Sequence, residues 1–277
     1  MNEELKNKSI NNEPINTPDD DLYIFEDTTS AGTPMGALER VFSLFAAPGK
    51  LIENIMEFPR FITAVIVIVI LALVSTVLTM MASPIVANAL SIAIAERYGV
   101  DFLNMTQSME IVMGNSFFAF IISWAGIAFG SFISVLFGAA VVKVITLIMK
   151  GSATLKQYLS LLMHTAIISL IGGGVVASLL MLATDSIMVF TSLAPILMPN
   201  GNMFSILFNL LSCIELFGIW SMVVLAMGVK KFNPGFSTGK SVATAAIYYI
   251  LTVAFITAST SLAMLSYDFA YNTLHMM

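Results

Sequence analysis

The chain has 277 residues, of which 58% are hydrophobic and only 10% are charged. Because soluble globular domains carry about 25% charged residues, this composition excludes an ordinary soluble domain and indicates a surface that faces lipid. The formal net charge of -5 comes without the basic patch that a nucleic-acid partner needs, and the single cysteine, Cys213, excludes an intramolecular disulfide.

The first two segments are predicted to lie outside the membrane. Residues 1–34 are acidic, rich in Asn, Thr and Pro and without hydrophobic periodicity, which predicts a disordered cytoplasmic tail. No basic-then-apolar start is present, so a cleaved signal peptide is not expected. Residues 35–60 carry apolar residues at helical spacing on both sides of Pro48 and predict two amphipathic cytoplasmic helices. These helices can lie on the membrane surface or pack against the protein's own loops, and the sequence leaves both open.

Five apolar runs predict an all-α integral membrane bundle of five transmembrane helices within residues 61–265, because about 20 apolar residues cross a bilayer. The runs are 61–83, 118–141, 159–183, 203–228 and 242–265. Residues 84–115 are expected to form an external segment, helical in part, with a chance glycosylation sequon at 104–106. Residues 266–277 are expected to form a short external tail.

The distribution of basic residues predicts the orientation. With five crossings, eleven of the 12 Lys and Arg residues fall on one side and only Arg97 on the other. The N-terminus is therefore expected in the cytoplasm and the C-terminus outside. The location implied is a bacterial inner membrane, or an endoplasmic reticulum or Golgi membrane in a eukaryote.

Two loops between predicted helices have recognisable turn and cap residues. Residues 234–241, PGFSTGKS, partly match a phosphate-binding loop, but Pro234 stands where the first glycine is needed and no strand precedes it. We expect no nucleotide binding there; Ser237 or Thr238 caps the following helix. In the other loop Thr154 and Gln157 predict a capping box.

Small residues follow helical spacing in two of the predicted helices. They are Gly126, Gly130, Ser134 and Gly138 in the second helix and Ser169, Gly173 and Ala177 in the third. This pattern is typical of close helix packing in lipid. The triplet Gly172–Gly174 is also compatible with a hinge or a broken helix of the transporter type.

Glu215 lies near the middle of the fourth run, on one helical face with Ser205, Asn209 and Ser212. A charged group at mid-bilayer is costly, so we expect a neutral acid that donates a hydrogen bond. It either links helices structurally or couples to a proton or substrate. His164 lies roughly 12 Å away in depth at about 1.5 Å per residue, so a direct pair is not expected. Ser131, Ser134, Ser169 and Thr252 lie nearer to the depth of Glu215.

Several short patterns occur together in a characteristic order. They are VFSLFAAPGKLIENIMEFPRF (41–61), Gly-Ser-x-Thr-x-Lys-Gln (151–157), Glu215-x-Phe217-x-x-Trp220 with Leu225 and Gly228, and Gly239-Lys240. In this the chain resembles the Yip family of Ypt/Rab-interacting membrane proteins, in its bacterial form. The resemblance implies five membrane helices, a cytoplasmic N-terminus and no enzyme residues. Eukaryotic members bind Rab-type GTPases, but their tail motifs are not seen here, so that partner is not carried over.

We therefore expect a non-catalytic membrane protein without cofactor or metal that organises the membrane or scaffolds partners. Its expected partners are the lipid bilayer and other membrane proteins or a second copy. The alternative is a small transporter or permease subunit that uses Glu215. A closed, packed core around Glu215 favours the scaffold, whereas a cavity that reaches Glu215 favours the transporter.

Overall fold

The computed structural model describes residues 34–100, 102, 104, 117–189, 191–197 and 204–275. The predicted disordered tail, apart from Pro34, and residues 105 and 106 of the sequon lie outside this part of the chain. What is described is all-α apart from an isolated bridge between Ser192 and Glu215.

The described part of the chain contains the following helices, in chain order. They are α1 Ala37–Ala46, α2 Pro48–Glu57, α3 Ile62–Tyr98, α4 Phe117–Ile148, α5 Leu155–Ser169, a π-helical segment Leu170–Val176, α6 Ala177–Thr184, α7 Leu193–Leu197, α8 Ile206–Ser212, α9 Leu216–Phe232 and α10 Thr238–His275. Both predicted caps are confirmed: Thr154 and Gln157 form the capping box of α5, and Ser237 Oγ accepts from the Lys240 amide at 3.3 Å.

Helix α3 continues well past the predicted end at residue 83 and runs through Pro84 to Tyr98. A proline removes the bond to the carbonyl four residues earlier, which here belongs to Met80. Ser83 Oγ donates to that carbonyl at 2.8 Å. Because the freed acceptor has a new donor, the helix is not ended by the proline.

Helix α10 also exceeds its prediction, because residues 266–275 are helical rather than a tail. Its last turns pack against the end of α3. Asp268 accepts hydrogen bonds from Arg97 at 3.1 Å and from the Tyr98 hydroxyl at 2.7 Å. Around this pair lies an aromatic cluster of Tyr98, Phe102, Phe204, Tyr267 and Tyr271. The last turns of α3 and α10 thus stabilise each other, although the sequence of these turns is not apolar enough to predict a membrane span.

The opposite end of the bundle is organised around Asn233, which is buried. Its Oδ1 accepts from the amides of Ser152 and Ala153 at 2.9 and 3.0 Å, and its Nδ2 donates to the Tyr158 hydroxyl at 2.8 Å. One side chain therefore joins the loop before α5 to the loop after α9.

Helices α1 and α2 pack against the bundle at this same end, against α5 and α9. Arg40 is 1% exposed, and its guanidinium donates to the Arg60 carbonyl at 2.9 Å and to Asn54 Oδ1 at 2.7 Å. Burial and the neighbouring Arg60 lower the pKa of Arg40. One face of α1 thus packs against helices rather than loops, while Leu38 and Phe42 on another face are 74% and 72% exposed.

Four helices of the described chain are long and apolar enough to cross a membrane, judged by length and composition. They are Ile62–Tyr98, Phe120–Ile148, Leu155–Thr184 and Thr238–Thr273. The predicted continuous helix 203–228 is wrong, because the chain there forms α8 and α9 with a break at Cys213–Glu215. The described structure thus supports a multi-pass membrane protein whose fourth predicted span is discontinuous.

Helices α4, α5, α9 and α10 form a ring in which each packs against the next, and α3 lies outside α4 and α5. Along the predicted small-residue ridge on α4, the glycines have different surroundings. A Cβ at Gly138 would meet the Tyr248 hydroxyl, whereas nothing described lies within 4 Å of a Cβ at Gly126 or Gly130. A side chain at either of these two glycines would therefore meet open space within the described part of the chain.

Candidate functional site

The break between α8 and α9 is stabilised by a segment that returns from the end of α6. The Leu193 amide donates to the Ile214 carbonyl and the Leu216 amide donates to the Thr191 carbonyl, each at 3.1 Å. The Tyr249 hydroxyl donates to the Cys213 carbonyl, also at 3.1 Å. Since non-helical backbone inside a membrane needs protein partners, these bonds make an extended Glu215 possible at this depth.

Opposite the break lies the π-helical segment of the third predicted span. A Cβ at Gly172 would overlap the Phe217 ring, and one at Gly174 would overlap Ser75 Oγ. At Gly173 a Cβ would lie 3.5 Å from Glu215 Oε2. Gly172 and Gly174 therefore allow Phe217 and Ser75 to pack closely against the π-helical segment. Gly173, between them, brings the backbone of this segment next to the carboxyl group of Glu215.

A cavity of about 410 Å³ lies inside the four-helix ring and reaches Glu215. All four hydroxyl residues expected near the depth of Glu215 line it. Its polar lining residues are Ser131, Ser134, Thr165, Ser169, Glu215, Ser221, Tyr248, Tyr249 and Thr252, and the remaining lining is glycine and apolar side chains. The cavity has the size and the mixture of apolar walls with a few polar groups that are typical of small-molecule sites.

A second cavity of about 440 Å³ lies toward the aromatic cluster and is also lined by Gly173 and Glu215. Asn209 and Ser212 line it together with Glu215, so these three members of the predicted polar stripe do face one cavity. They line the same cavity although the predicted continuous helix 203–228 is divided into α8 and α9. Ser205 is absent from the described lining.

Along α10, the two cavities are lined by one continuous helical face. The lining residues are Ala245, Tyr248, Tyr249, Thr252, Ile256, Thr260, Ala263, Met264 and Tyr267. At about 1.5 Å per residue, this face covers roughly 33 Å of helix, which is close to the thickness of a bilayer's hydrocarbon core, about 30 Å.

Glu215 is the ionisable acid of both described linings, and Lys, Arg and His are absent from them. Its side chain is half-buried, and within the described residues no hydrogen bond reaches either carboxyl oxygen. The expected interhelical hydrogen bond of this acid is therefore not found there. The carboxyl group is positioned by backbone and by shape, next to Gly173, rather than by a partner side chain.

His164 lies apart from this site, as its depth predicts. It is 1% exposed, absent from both described linings, and its Nδ1 lies 2.6 Å from the Ser160 carbonyl. Its ring is held on its own helix by that bond. No described contact connects it with Glu215.

Of the residues that α10 contributes to the two cavities, the sequence interpretation named only Thr252. Tyr248, Tyr249, Thr252, Thr260 and Tyr267 recur at helical spacing, and this recurrence was the available signal. The sequence around Thr191 and Leu193 contains no such periodic pattern. Their role depends on the chain returning beside residues 214–216, which is a tertiary contact.

Comparison with family models matches the Yip1 domain over residues 42–260. The chain belongs to the Yip1-domain family. The Yip1 domain thus covers the second half of α1, the ring, the break at Glu215 and the cavity-lining face of α10 except its end. Neither the curated proteins nor the solved structures gave a match.

The residues that carried the resemblance make contacts within the Yip1 domain. Trp220 Nε1 donates to the Leu44 carbonyl at 3.1 Å and so joins α9 to α1. Phe217 packs on Gly172, and Leu161 packs where a Cβ at Gly228 would be. Of these residues, Trp220 contacts the amphipathic segment, whereas Phe217 and Gly228 pack against the third predicted span.

Proposed function

We propose that this Yip1-domain protein is a non-catalytic, five-crossing membrane protein that passes a small polar or charged solute along the two cavities and past Glu215. The proposal rests on one observation: the cavities follow a single face of α10 over roughly a bilayer thickness and share Glu215 and Gly173 in their linings. A cavity that reaches Glu215 is the feature that favours a transporter or permease subunit over a closed scaffold.

The positions of the ends of α8 and α9 support one more crossing in addition to the four long helices, which makes five in total. Phe204, before α8, packs against Tyr98 and Tyr267 at one end of the bundle. Asn233, after α9, contacts the loop at Ser152 at the other end. Because the two half-helices connect opposite ends of the bundle, we propose that together they form the fourth crossing. The distribution of basic residues supports an orientation with the Asn233 end in the cytoplasm and the aromatic cluster outside.

The membrane proposed is the bacterial inner membrane, or the endoplasmic reticulum or Golgi if the chain is eukaryotic. The proposed partners are lipids and other membrane proteins or a second copy. Binding of a Rab-type GTPase is not part of the proposal, because the tail motifs of the eukaryotic members are not seen in this sequence.

The passage can be tested by the reactivity of cysteines in a Cys213→Ala background. Ser134→Cys lies in the first cavity and Ser212→Cys in the second, while Phe129→Cys, on a side chain 72% exposed toward lipid, is the control. A small water-soluble methanethiosulfonate reagent should modify Ser134→Cys from the cytoplasmic side and Ser212→Cys from the outside, and leave Phe129→Cys unmodified. Absence of reaction at both cavity positions would overturn the proposal.

A second candidate function is membrane organisation, and the two-sided α1 favours it. One face of α1 packs into the bundle through Arg40 and Leu44, while Leu38 and Phe42 remain exposed beside it. An amphipathic helix held at a bundle end can insert an apolar face into the headgroup layer and so change lipid packing. This candidate predicts that Phe42 lies in lipid.

A further inference from the structure

The chemistry of the lining indicates which class of solute the Glu215 site accepts. The described lining residues of both cavities include one carboxylic acid and no basic residue. In a site of low dielectric a carboxylate repels anions and attracts cations much more strongly than in water. In its ionised form Glu215 therefore disfavours phosphates, sulfates and carboxylates as ligands and favours a cation.

The carboxyl group of Glu215 is available to such a ligand. No described residue donates a hydrogen bond to it, and its Oε2 lies beside Gly173, where the absent side chain leaves room. The Tyr249 hydroxyl, by contrast, is engaged with the Cys213 carbonyl at 3.1 Å, and Thr252 Oγ1 with the Tyr248 carbonyl at 3.0 Å. Among the polar groups that line the first cavity in the described part of the chain, the Glu215 carboxyl group is thus without a partner. It can also accept more hydrogen bonds than the hydroxyl groups around it.

The walls around the acid determine what the rest of the ligand is. The first cavity is lined by Val135, Leu162, Met222, Leu225 and Ile256 as well as by hydroxyl residues. A hydrated metal ion would leave these apolar walls in contact with water, which is unfavourable. A ligand with an apolar body and a single cationic head satisfies both the walls and the acid.

We propose that the Glu215 site binds a small organic cation, namely a protonated primary amine with an apolar body. The ammonium group donates to the Glu215 carboxylate, and the body occupies the first cavity. Pairing offsets the cost of an ionised acid in this environment. This assignment rests on the proposed function, since it names the solute class for the same two cavities.

The test compares three probes of similar shape on the purified, full-length protein in detergent. The probes are phenethylamine, which is cationic at pH 7, the neutral 2-phenylethanol and the anionic 3-phenylpropanoate. We expect saturable thermal stabilisation by phenethylamine and at least tenfold weaker binding of the other two. Equal binding of 2-phenylethanol would overturn the assignment.

Two variants locate the site. Glu215→Gln should weaken phenethylamine binding at least tenfold, whereas Glu53→Gln, which removes a carboxylate that pairs with Lys231 at 3.0 Å on the surface, should not. If Glu215→Gln does not fold, Ser134→Leu keeps the acid and fills the cavity, and it should cause a similar loss. Unchanged binding in the folded variant would place the amine elsewhere and sink the assignment.

The cysteine experiment separates failure of this assignment from failure of the proposed passage. If phenethylamine binds through Glu215 but neither Ser134→Cys nor Ser212→Cys reacts with the water-soluble reagent, the amine site stands and the passage does not. If both cysteines react from their expected sides but phenethylamine does not bind, the passage stands and the amine assignment is wrong.

Discussion

At the scale of single residues, the absence of side chains matters as much as their chemistry. The π-helical turn approaches α9 closely because Gly172 leaves space for Phe217, and it approaches α3 closely because Gly174 leaves space for Ser75. Between them, Gly173 keeps the carboxyl group of Glu215 free of a neighbouring side chain. Three adjacent glycines therefore have two different roles, which their uniform sequence does not distinguish.

The glycine pair gives a matched prediction. Gly172→Ala should destabilise the protein by about 1–3 kcal/mol, the usual cost of overpacking, because the new Cβ would also overlap the Cβ of Phe217, which no side-chain rotation can move. Gly173→Ala should fold almost normally, because its Cβ would lie at an ordinary 3.5 Å from Glu215 Oε2. Melting in detergent measures both, and equal melting temperatures would contradict the packing described at Gly172.

At the scale of elements, α1 carries apolar residues on two faces. Leu44 is fully buried and its carbonyl accepts from Trp220, which fixes the helix against α9. Leu38 and Phe42 lie exposed at the bundle end where α3 begins. Exposed aromatic and aliphatic side chains beside a membrane span are typical of a helix at the lipid interface.

This arrangement predicts the surroundings of Phe42. A fluorophore such as NBD attached at Phe42→Cys in a Cys213→Ala background should show blue-shifted emission in proteoliposomes and be quenched by spin-labelled lipids. The same label at Lys50→Cys, on an exposed position of α2, should emit as in water. Identical emission at the two positions would contradict lipid contact and, with it, the membrane-organising candidate.

At the scale of the whole molecule, two polar assemblies occupy opposite ends of the bundle. The Asn233 contacts join loops at one end, and the Arg97–Asp268 pair with its aromatic cluster joins helix ends at the other. Between them, the cavities run along α10. If the fourth crossing is discontinuous but complete, these ends lie on opposite sides of the membrane.

Cysteine labelling tests this topology. In a Cys213→Ala background, Gly235→Cys lies in the loop after α9 with open space around it, and Glu96→Cys lies exposed near the end of α3. An impermeant thiol reagent should modify Glu96→Cys in intact cells and Gly235→Cys only after the membrane is opened. Modification of both from the same side would contradict the five-crossing arrangement.

The sequence by itself determined the fold class, the family and the approximate position of the apolar segments. It did so because hydrophobic length and local cap residues, such as Thr154 and Gln157, act within a few residues of chain. The polar stripe of Asn209, Ser212 and Glu215 was also recognisable, and these residues do line one cavity.

Only the tertiary structure decided how those segments end, break and enclose space. Residues 266–275 extend α10 beyond its apolar run, where Asp268 pairs with Arg97 of α3. The break at Glu215 exists because Thr191 and Leu193 return beside it. Such contacts join residues far apart in the chain, and the cavities depend on which helices they bring together, so local periodicity cannot predict either.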